Sequence, residues 1–438
     1  MTDSRPAPTP EDRDAADGPL PDRGAITTTL AAHRDHPSHR GPDVDLADSA
    51  GRRCDPRRRR TALLLSAAVG ALALGSGWQA CQRLLQPTGW ELRPLPASPA
   101  STGEDIDPPG LLQSLTIGRD MLFDKPAGTR PDGPLPMQPL TGDDLAAAPD
   151  GSLWRLGHST VLIKLDGHFW LTDPVWAERA SPLPWIGPRR FQPPPIALDA
   201  LPPLAAVILS HDHYDHLDRD TVRALAARTG VFVTPTGVGD LLVDWGIPRD
   251  QVRQLGWWQH TRLHGLTLTA TPARHFSGRG LFDRNRRLWA SWVIQGPRQT
   301  IYFSGDSGYG PHFAQIGERL GPFDLTLMEN GAYDRRWPAV HMHPEETLQA
   351  HRDLRGRRLL PVHNATFDLA FHRWDEPLER LSQLAAAAGQ TLLTPRFGER
   401  VDLHRPQPTK AWWREVVTAP APAPAAATVS ATTADAPR

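Results

Sequence analysis

Short apolar runs alternate with amphipathic helical stretches from residue 153 to about residue 400. Runs typical of buried or half-buried strands are TVLIKL, HFWLTD, AAVILS, VFVTP, LTLTATP, SWVIQ, TIYFSGD and LTLMEN. The stretch TVRALAAR has helical spacing, and Asp218 before it is a suitable N-cap. Strand-rich halves separated by helices predict an α+β or layered α/β/β/α fold for residues 151–405.

The regions that flank this predicted domain differ from it in composition. Residues 1–50 are rich in Pro, Asp and Arg and poor in large apolar residues, so we predict that they are disordered. Residues 86–150 are rich in Pro, Gly and Asp without sustained periodicity, which predicts an extended arm. Residues 406–438 end in a run of Ala, Pro and Thr, and we predict a disordered tail there.

Residues 51–85 combine a basic stretch with an apolar segment. Six arginines in residues 52–60 precede TALLLSAAVGALALGSGW, residues 61–78. This uncharged run of about 18 residues is just long enough to cross a hydrocarbon core of about 30 Å. The arginines predict a cytoplasmic N-terminus, a membrane anchor and a following domain on the extracytoplasmic (periplasmic) side. A cleaved signal, a lipoprotein signal ending at Cys81 and a buried core helix are the alternatives, although Trp78 suits neither signal.

Charge and cysteine content narrow the chemistry that the domain can perform. The formal net charge of −1 gives no overall basic field, so we expect no nucleic-acid partner. The two cysteines, Cys54 and Cys81, both precede the patterned region. A metal site in that region must therefore use nitrogen and oxygen ligands, and the 18 histidines make one possible. Nothing in the sequence indicates the oligomeric state.

A dense cluster of metal-binding side chains follows the predicted strand AAVILS. His211, His213, Asp215 and His216 lie within six positions, on the turn before the next helix. Neutral imidazole and carboxylate groups are suitable zinc ligands. Because His211 and His213 are two residues apart, an extended backbone directs both side chains to one side. Asp215 and His216 come where the chain starts to turn, so they point elsewhere. The spacing predicts that each pair binds a different ion.

Further ligands must come from other segments, because one loop cannot fill a zinc coordination shell. His275, Asp306 and His363 each stand just after a strand-like run. Loops at strand ends often carry active-site residues. Any one of the three is also consistent with an ordinary surface loop, but their shared context favours convergence on one site.

These motifs resemble the metallo-β-lactamase superfamily, because HDHYDH matches its HxHxDH signature at every position. From about residue 153 to residue 400, the chain is more closely similar to the N-acyl-phosphatidylethanolamine-hydrolysing phospholipase D family. The matching stretches are WRLGHSTVLIKLDG, LTDPVWAERASPLPWIGPRRF, LPPLAAVILSHDHYDHLD, LGWWQH, RLWASWVI, GPFDLTLMENGAYDRRW, HMHPEET and PVHNATF. The resemblance implies an α+β fold of the four-layer αβ/βα sandwich type, with the active site at the sheet edge.

The resemblance also implies a ligand set for two Zn²⁺ ions. The ligands of one ion are His211, His213 and His275, those of the other are Asp215, His216 and His363, and Asp306 bridges the two. Asp173, in LTDP, is implied to orient a ligand histidine by accepting its second N–H. A simple turn residue before Pro174 is the alternative for this position.

The implied reaction is hydrolysis by a phospholipase D-type phosphodiesterase. Two zinc ions lower the pKa of a bridging water, which attacks the phosphorus without a serine or cysteine nucleophile. Asp306 and His341 are the two predicted catalytic residues. His341 is expected to protonate the leaving group, and His343 is the alternative candidate for this role. The implied substrate is an N-acylphosphatidylethanolamine-type phospholipid or another small phosphodiester, and the membrane is an expected partner.

Two departures from the family pattern leave the substrate open. Met328, Glu329 and Asn330 stand where the family has apolar and small residues, and Asn364 stands where it has a tryptophan. A same-fold hydrolase of a lactone or a sugar-phosphate ester is therefore a second hypothesis. A non-catalytic, membrane-tethered metal-binding regulator is a third, and the complete set of seven ligand positions argues against it.

Overall fold

A computed structural model describes residues 111–280 and 283–418, which contain two seven-stranded sheets. The strands of the first sheet are β1 (Ser152–Arg155), β2 (Val161–Leu165), β3 (His168–Thr172), β4 (Leu204–Ile208), β5 (Thr229–Pro235), β6 (Val252–Leu255) and β14 (Arg400–Asp402). Their order is β14-β1-β2-β3-β4-β5-β6. The pairs from β14 to β3 are antiparallel, and those from β3 to β6 are parallel.

The second sheet has the same mixed character. Its strands are β7 (His260–Leu263), β8 (Leu266–Thr271), β9 (Ser291–Gln295), β10 (Thr300–Phe303), β11 (Leu325–Glu329), β12 (Arg358–Val362) and β13 (Thr391–Leu392). Their order is β13-β12-β11-β10-β9-β8-β7. The pairs from β7 to β10 are antiparallel and those from β10 to β13 are parallel.

Helices connect and cover the strands. Their bounds are α1 (Leu111–Phe123), α2 (Gly142–Ala147), α3 (Arg219–Leu225), α4 (Val238–Asp244), α5 (His312–Leu320), α6 (Pro344–Asp353), α7 (Glu376–Ala387) and α8 (Trp412–Thr418). Asp218 caps α3, because its side chain accepts the N–H of Asp220, and the predicted N-cap is thereby confirmed. Proline at the start of α6 and of α7 has no N–H to leave unsatisfied there.

Alternation along the strands explains the layers. In β4, Ala206 and Ile208 belong to a core cluster shared with the second sheet, whereas Val207 packs in the cluster that includes helices α3 and α4. In β10, Phe303 belongs to the shared cluster, and Tyr302 packs with α5, α6 and α7. These two strands therefore bury both faces, which gives the near-continuous apolar runs seen there in the sequence. The predicted α+β four-layer sandwich is confirmed.

The folded part extends beyond the predicted limits of residues 151–405 at both ends. Trp412 and Trp413, in α8, are only 1% exposed and pack with Trp374, Leu378 and Phe397. Burial of these two large aromatic rings holds α8 against the domain, although composition alone assigned this segment to a disordered tail. The predicted arm likewise contains helices α1 and α2 in its described part.

Several predictions concern residues outside the described ranges. They include the disordered segment 1–50, the apolar segment 61–78, both cysteines and the last residues of the tail. Within residues 111–280 and 283–418, none of the helices has the length and apolar character that crossing a membrane requires.

Candidate metal centre and active site

Five loops, each following the C-terminal end of a strand, bring the predicted site residues together. The loops follow β3, β4, β8, β10 and β12. They carry, in that order, Asp173, the run from His211 to His216, His275, Asp306 and His363. Strands present these residues because their ends are fixed by ladder hydrogen bonds, while the loops are free to take the conformations that a site needs.

The first cluster consists of His211, His213, His275 and Asp306, whose ligand-type atoms all lie within 4.8 Å of one another. Nδ1 of His213 lies 2.9 Å from Nε2 of His211 and 3.2 Å from Nε2 of His275. Oδ2 of Asp306 lies 3.8 Å and 3.7 Å from the same two Nε2 atoms. The structure thus brings together three histidines expected at one ion and the aspartate expected to bridge.

The second cluster consists of Asp215, His216, His363 and, unexpectedly, His158, again within 4.8 Å. Oδ2 of Asp215 lies 3.3 Å from Nε2 of His363 and 3.5 Å from Nε2 of His216. Nε2 of His158 lies 3.1 Å from the same oxygen. Asp306 reaches this cluster as well, with Oδ1 3.1 Å from His216 Nε2 and Oδ2 3.0 Å from His363 Nε2. Asp306 is therefore shared by the two clusters.

Unpaired buried atoms in the second cluster fit a bound cation. Nε2 of His216, Nε2 of His363 and Oδ1 of Asp306 are buried and lie 3.0–3.5 Å from one another or from the other carboxylate oxygens of Asp306 and Asp215, yet none of these contacts has the geometry of a hydrogen bond. Leaving a buried polar group unpaired costs roughly 1–3 kcal/mol, so such atoms are rare unless something else binds them. A set of imidazole nitrogens and carboxylate oxygens is the donor set that suits zinc and related divalent ions. The residues present therefore fit a metal centre.

Electrostatics separates the histidines into two groups. Burial lowers the pKa of His211 and His275 well below the ordinary value, so both rings are neutral, as metal ligation requires. Burial also opposes the charged form of His363, but the neighbouring carboxylates, Asp306 above all, outweigh it and raise its pKa to about 10. The same balance raises the pKa of His216 well above its ordinary value. In the metal-free protein these two rings carry protons that a cation would replace.

Asp173 lies behind His216 and is fully buried. Its Oδ2 is 2.7 Å from Nδ1 of His216. Its two oxygens also accept the backbone N–H and the hydroxyl of Ser210. A carboxylate in this place accepts a hydrogen bond from Nδ1–H, which keeps the ring proton on Nδ1 and leaves Nε2 of His216 directed at the cluster.

Backbone conformation at the site is unusual. Asp173 has φ of +33° and His363 has φ of +63°, in a region that residues other than glycine seldom adopt. Such conformations persist where the surrounding structure holds them, and they concentrate at functional sites. Gly305, with φ of +54°, lets the turn before Asp306 pass the loop after β4, because a Cβ at this position would lie 2.5 Å from Cβ of Ser210.

His341 lies beside the two clusters. Its ring centroid is 5.1 Å from that of His363 and 5.3 Å from that of His275, and its side chain is 13% exposed. Nδ1 of His341 lies 3.1 Å from both carboxylate oxygens of Glu329. The rival His343 instead immediately precedes helix α6. Of the two histidines, His341 is therefore the one whose ring stacks against the site.

Asn364 follows His363 directly and is buried. Its side-chain oxygen accepts a hydrogen bond from Arg155 at 3.0 Å, and its amide donates to the carbonyl of Val362 at 2.9 Å. Asn364 thus forms a polar bracket between the end of β1 and the loop that carries His363.

Sequence reasoning assigned no role to His158, and it named Glu329 only as part of a departure from the family pattern. His158 also follows a strand, β1, and that position was the available signal, but no other metal-binding residue lies near it in the chain. Glu329 is the last residue of the apolar strand β11, and its partner His341 lies 12 residues further on. Only the folded chain brings either residue to the site.

Comparison with known proteins identifies the superfamily and the family. Residues 168–364 match the model of the beta-lactamase superfamily domain. An uncharacterized protein of Mycobacterium tuberculosis is 41% identical over 395 residues, which cover 81% of this chain and 99% of that protein. N-acyl-phosphatidylethanolamine-hydrolyzing phospholipase D 1 of Caenorhabditis elegans is 38% identical over 269 residues, 58% of this chain and 76% of that protein. The solved isothiocyanate hydrolase from Delia radicum gut bacteria is 20% identical and covers 57% of this chain and 98% of its own, with a TM-score of 0.46.

The sandwich fold, the matched domain and the two clusters define a metal-dependent hydrolase of the metallo-β-lactamase superfamily. The coverage and identity of the nematode relative narrow the class further. The chain belongs to the N-acyl-phosphatidylethanolamine-hydrolysing phospholipase D family.

Proposed function

We propose that this protein is a dinuclear zinc phosphodiesterase that cleaves N-acylphosphatidylethanolamine-type phospholipids. The observation that carries the proposal is the shared carboxylate of Asp306, which lies within 3.8 Å of imidazole nitrogens in both clusters. A carboxylate shared in this way is suited to hold two cations at the short separation that two-metal hydrolases use, about 3.5–4 Å.

Each cluster supplies three ligands besides Asp306. One ion would be held by His211, His213 and His275, and the other by Asp215, His216 and His363. When bound, the ions supply Lewis acidity, which makes water nucleophilic near neutral pH and polarises the ester. Asp173 keeps His216 in the tautomer that can ligate, and we assign His158 to orienting Asp215, whose Oδ2 it contacts at 3.1 Å.

The bond changes balance without a covalent intermediate on the protein. The oxygen of water forms a new bond to phosphorus, the phosphorus–oxygen bond to the leaving alcohol breaks, and water gives up one proton. The leaving oxygen needs a proton, and His341 is the side chain beside the clusters that is suited to donate it. His341 then recovers a proton from solvent, so the products are a phosphomonoester and an alcohol.

A groove near the loop after His363 supports an amphiphilic substrate. It has a volume of about 670 Å³, and Trp176, Phe191, Arg189 and Arg190 are among the residues that line it. Phe191 joins it to the loop after His363, because its N–H donates to the carbonyl of Thr366 at 2.8 Å. The aromatic side chains suit acyl groups, whereas Arg189 is paired with Glu178 and Arg190 donates to the carbonyls of Val175 and Ala177.

The proposal extends to the membrane. Residues 61–78 would anchor the protein, with the catalytic domain on the periplasmic side, since the arginines before them favour retention of the N-terminus in the cytoplasm. An anchored enzyme would meet a lipid substrate at the bilayer that holds it.

Turnover assays on the full-length, zinc-loaded protein test the proposal. We expect hydrolysis of N-acylphosphatidylethanolamine to a phosphatidic acid and an N-acylethanolamine, with no turnover of N-acylhomoserine lactone. His213→Ala should abolish turnover and leave the circular dichroism spectrum unchanged. Turnover of the lactone alone would refute the phosphodiesterase assignment. Turnover of neither compound by protein that holds two zinc ions would support the regulatory hypothesis instead.

A further inference from the structure

Glu329 is a carboxylate buried beside the site, and none of the predicted roles involves it. It is the last residue of β11 and has no exposed surface. Burial of a lone carboxylate is costly unless hydrogen bonds compensate for the lost water. Here Oε1 accepts the backbone N–H of Met342 at 2.8 Å, and Oε2 accepts that of Ser307 at 2.8 Å. The third donor is Nδ1 of His341, at 3.1 Å from both oxygens.

These bonds tie together two loops of the site. Ser307 follows Asp306, and Met342 follows His341. The backbone of Glu329 is also anchored, because its N–H donates to Ser304 Oγ at 2.8 Å. Its carboxylate is thus held in one place by strand, loop and ring together, and it cannot rotate away from the imidazole without breaking two backbone hydrogen bonds.

We propose that Glu329 is a positioning residue that sets the orientation and tautomer of His341. This inference rests on the proposed hydrolytic function. With Nδ1–H donated to the carboxylate, Nε2 is the nitrogen left for the substrate, on the opposite side of the ring.

Glu329 is the charged residue of β11, and all five residues of this strand, Leu325–Glu329, are buried. A carboxylate in an apolar strand destabilises the protein unless it is paired, and its partner is the histidine that resemblance places near the substrate. The contact with His341 therefore gives the buried carboxylate of Glu329 a role.

Leaving-group dependence separates this role from general support of the fold. Bis(4-nitrophenyl) phosphate releases a good leaving group that needs little protonation, whereas diphenyl phosphate releases a poor one. In the full-length, zinc-loaded protein, Glu329→Gln and His341→Gln should each slow diphenyl phosphate hydrolysis on the order of 100-fold, yet slow the nitrophenyl ester less than about threefold. Because Glu329 acts through His341, the double variant should be no slower than His341→Gln alone.

Glu346→Gln is the matched control. Glu346 accepts the N–H of His343 at 2.9 Å in the same loop, and glutamine can keep this cap. We expect unchanged turnover of both esters. Equal slowing of both esters by Glu329→Gln, or additive losses in the double variant, would overturn the inference. If the wild type hydrolyses neither ester, the proposed phosphodiesterase function fails, and the inference fails with it.

A readout independent of turnover is the ring of His341 itself. Its ¹⁵N signals, assigned by their loss in His341→Gln, should show a proton on Nδ1 in the wild type and no dominant Nδ1–H form in Glu329→Gln. Zinc content should equal that of the wild type in both variants. A wild-type ring without a proton on Nδ1 would refute the positioning role. Loss of one zinc ion in His341→Gln would refute it as well, because His341 would then be a metal ligand.

Discussion

Replacement of Asp173 by asparagine is expected to weaken the metal site that contains His216 more than the site that contains His211. Asp173 is fully buried and accepts the N–H and the hydroxyl of Ser210. It also lies 2.7 Å from Nδ1 of His216. An asparagine at position 173 can accept the Ser210 N–H only if its side-chain oxygen takes the place of Oδ1. If the amide were flipped, its NH₂ group would face the Ser210 N–H, and two donors would oppose each other. The amide NH₂ must therefore face His216.

The consequence for His216 gives the magnitude. Nδ1 becomes an acceptor, so the ring proton moves to Nε2, which lies 3.1 Å from Asp306 and is the nitrogen expected to ligate. Loss of such an orienting partner costs about 10- to 100-fold in metal affinity, which equals about 1.4–2.8 kcal/mol. The other cluster should lose less affinity, because Asp173 reaches it only through Ser210 Oγ, which lies 2.9 Å from Nδ1 of His211.

Competition of the zinc-loaded protein with a chromophoric chelator measures both affinities. Asp324→Asn is the control, because Asp324 also accepts a backbone N–H, that of Thr300 at 2.9 Å, but at the opposite end of β10 from Asp306. It should bind two ions as tightly as the wild type does. Wild-type affinity at both sites in Asp173→Asn would refute the reasoning, and so would equal weakening in Asp324→Asn.

Three further predictions follow from contacts at the site and at the C-terminus. Zinc binding should release protons at pH 7–8, because the pKa of His363 is raised to about 10 in the metal-free protein, and affinity should rise as the pH approaches that value. Calorimetry in buffers of different ionisation enthalpy measures this release, and binding without any release would contradict it. His158→Ala should weaken one of the two sites about tenfold in the chelator assay by freeing Asp215, and two unchanged affinities would rule out its orienting role. Trp412→Ala should lower the free energy of unfolding by about 3–5 kcal/mol in denaturant titrations. Val417 is 45% exposed on the same helix, so Val417→Ala should have little effect. An equally small loss for Trp412→Ala would contradict the stabilising role of α8.

The role of a site residue was predictable from the sequence where neighbouring residues form a recognisable motif. It was not predictable where the role depends on a partner far away in the chain. The run from His211 to His216 is dense enough to indicate metal binding by itself, and the buried strands follow from alternation in both sheets. His158 stands alone in its loop, so no local density marks it. Glu329 sits in an apolar strand, where a carboxylate has meaning only once His341 is in contact with it.

Composition was the weakest guide at the chain ends. A window rich in Ala, Pro and Thr concealed two tryptophans, Trp412 and Trp413, whose burial extends the domain. Tertiary packing of a few large side chains outweighs the average polarity of the segment around them.

Anomalous diffraction at the zinc absorption edge, from crystals of the zinc-loaded protein, tests the central claim most directly. We predict two peaks on either side of Asp306, about 3.5–4 Å apart, one surrounded by His211, His213 and His275 and the other by Asp215, His216 and His363. A single peak, or no peak within ligand distance of Asp306, would contradict the dinuclear site on which the proposed reaction depends.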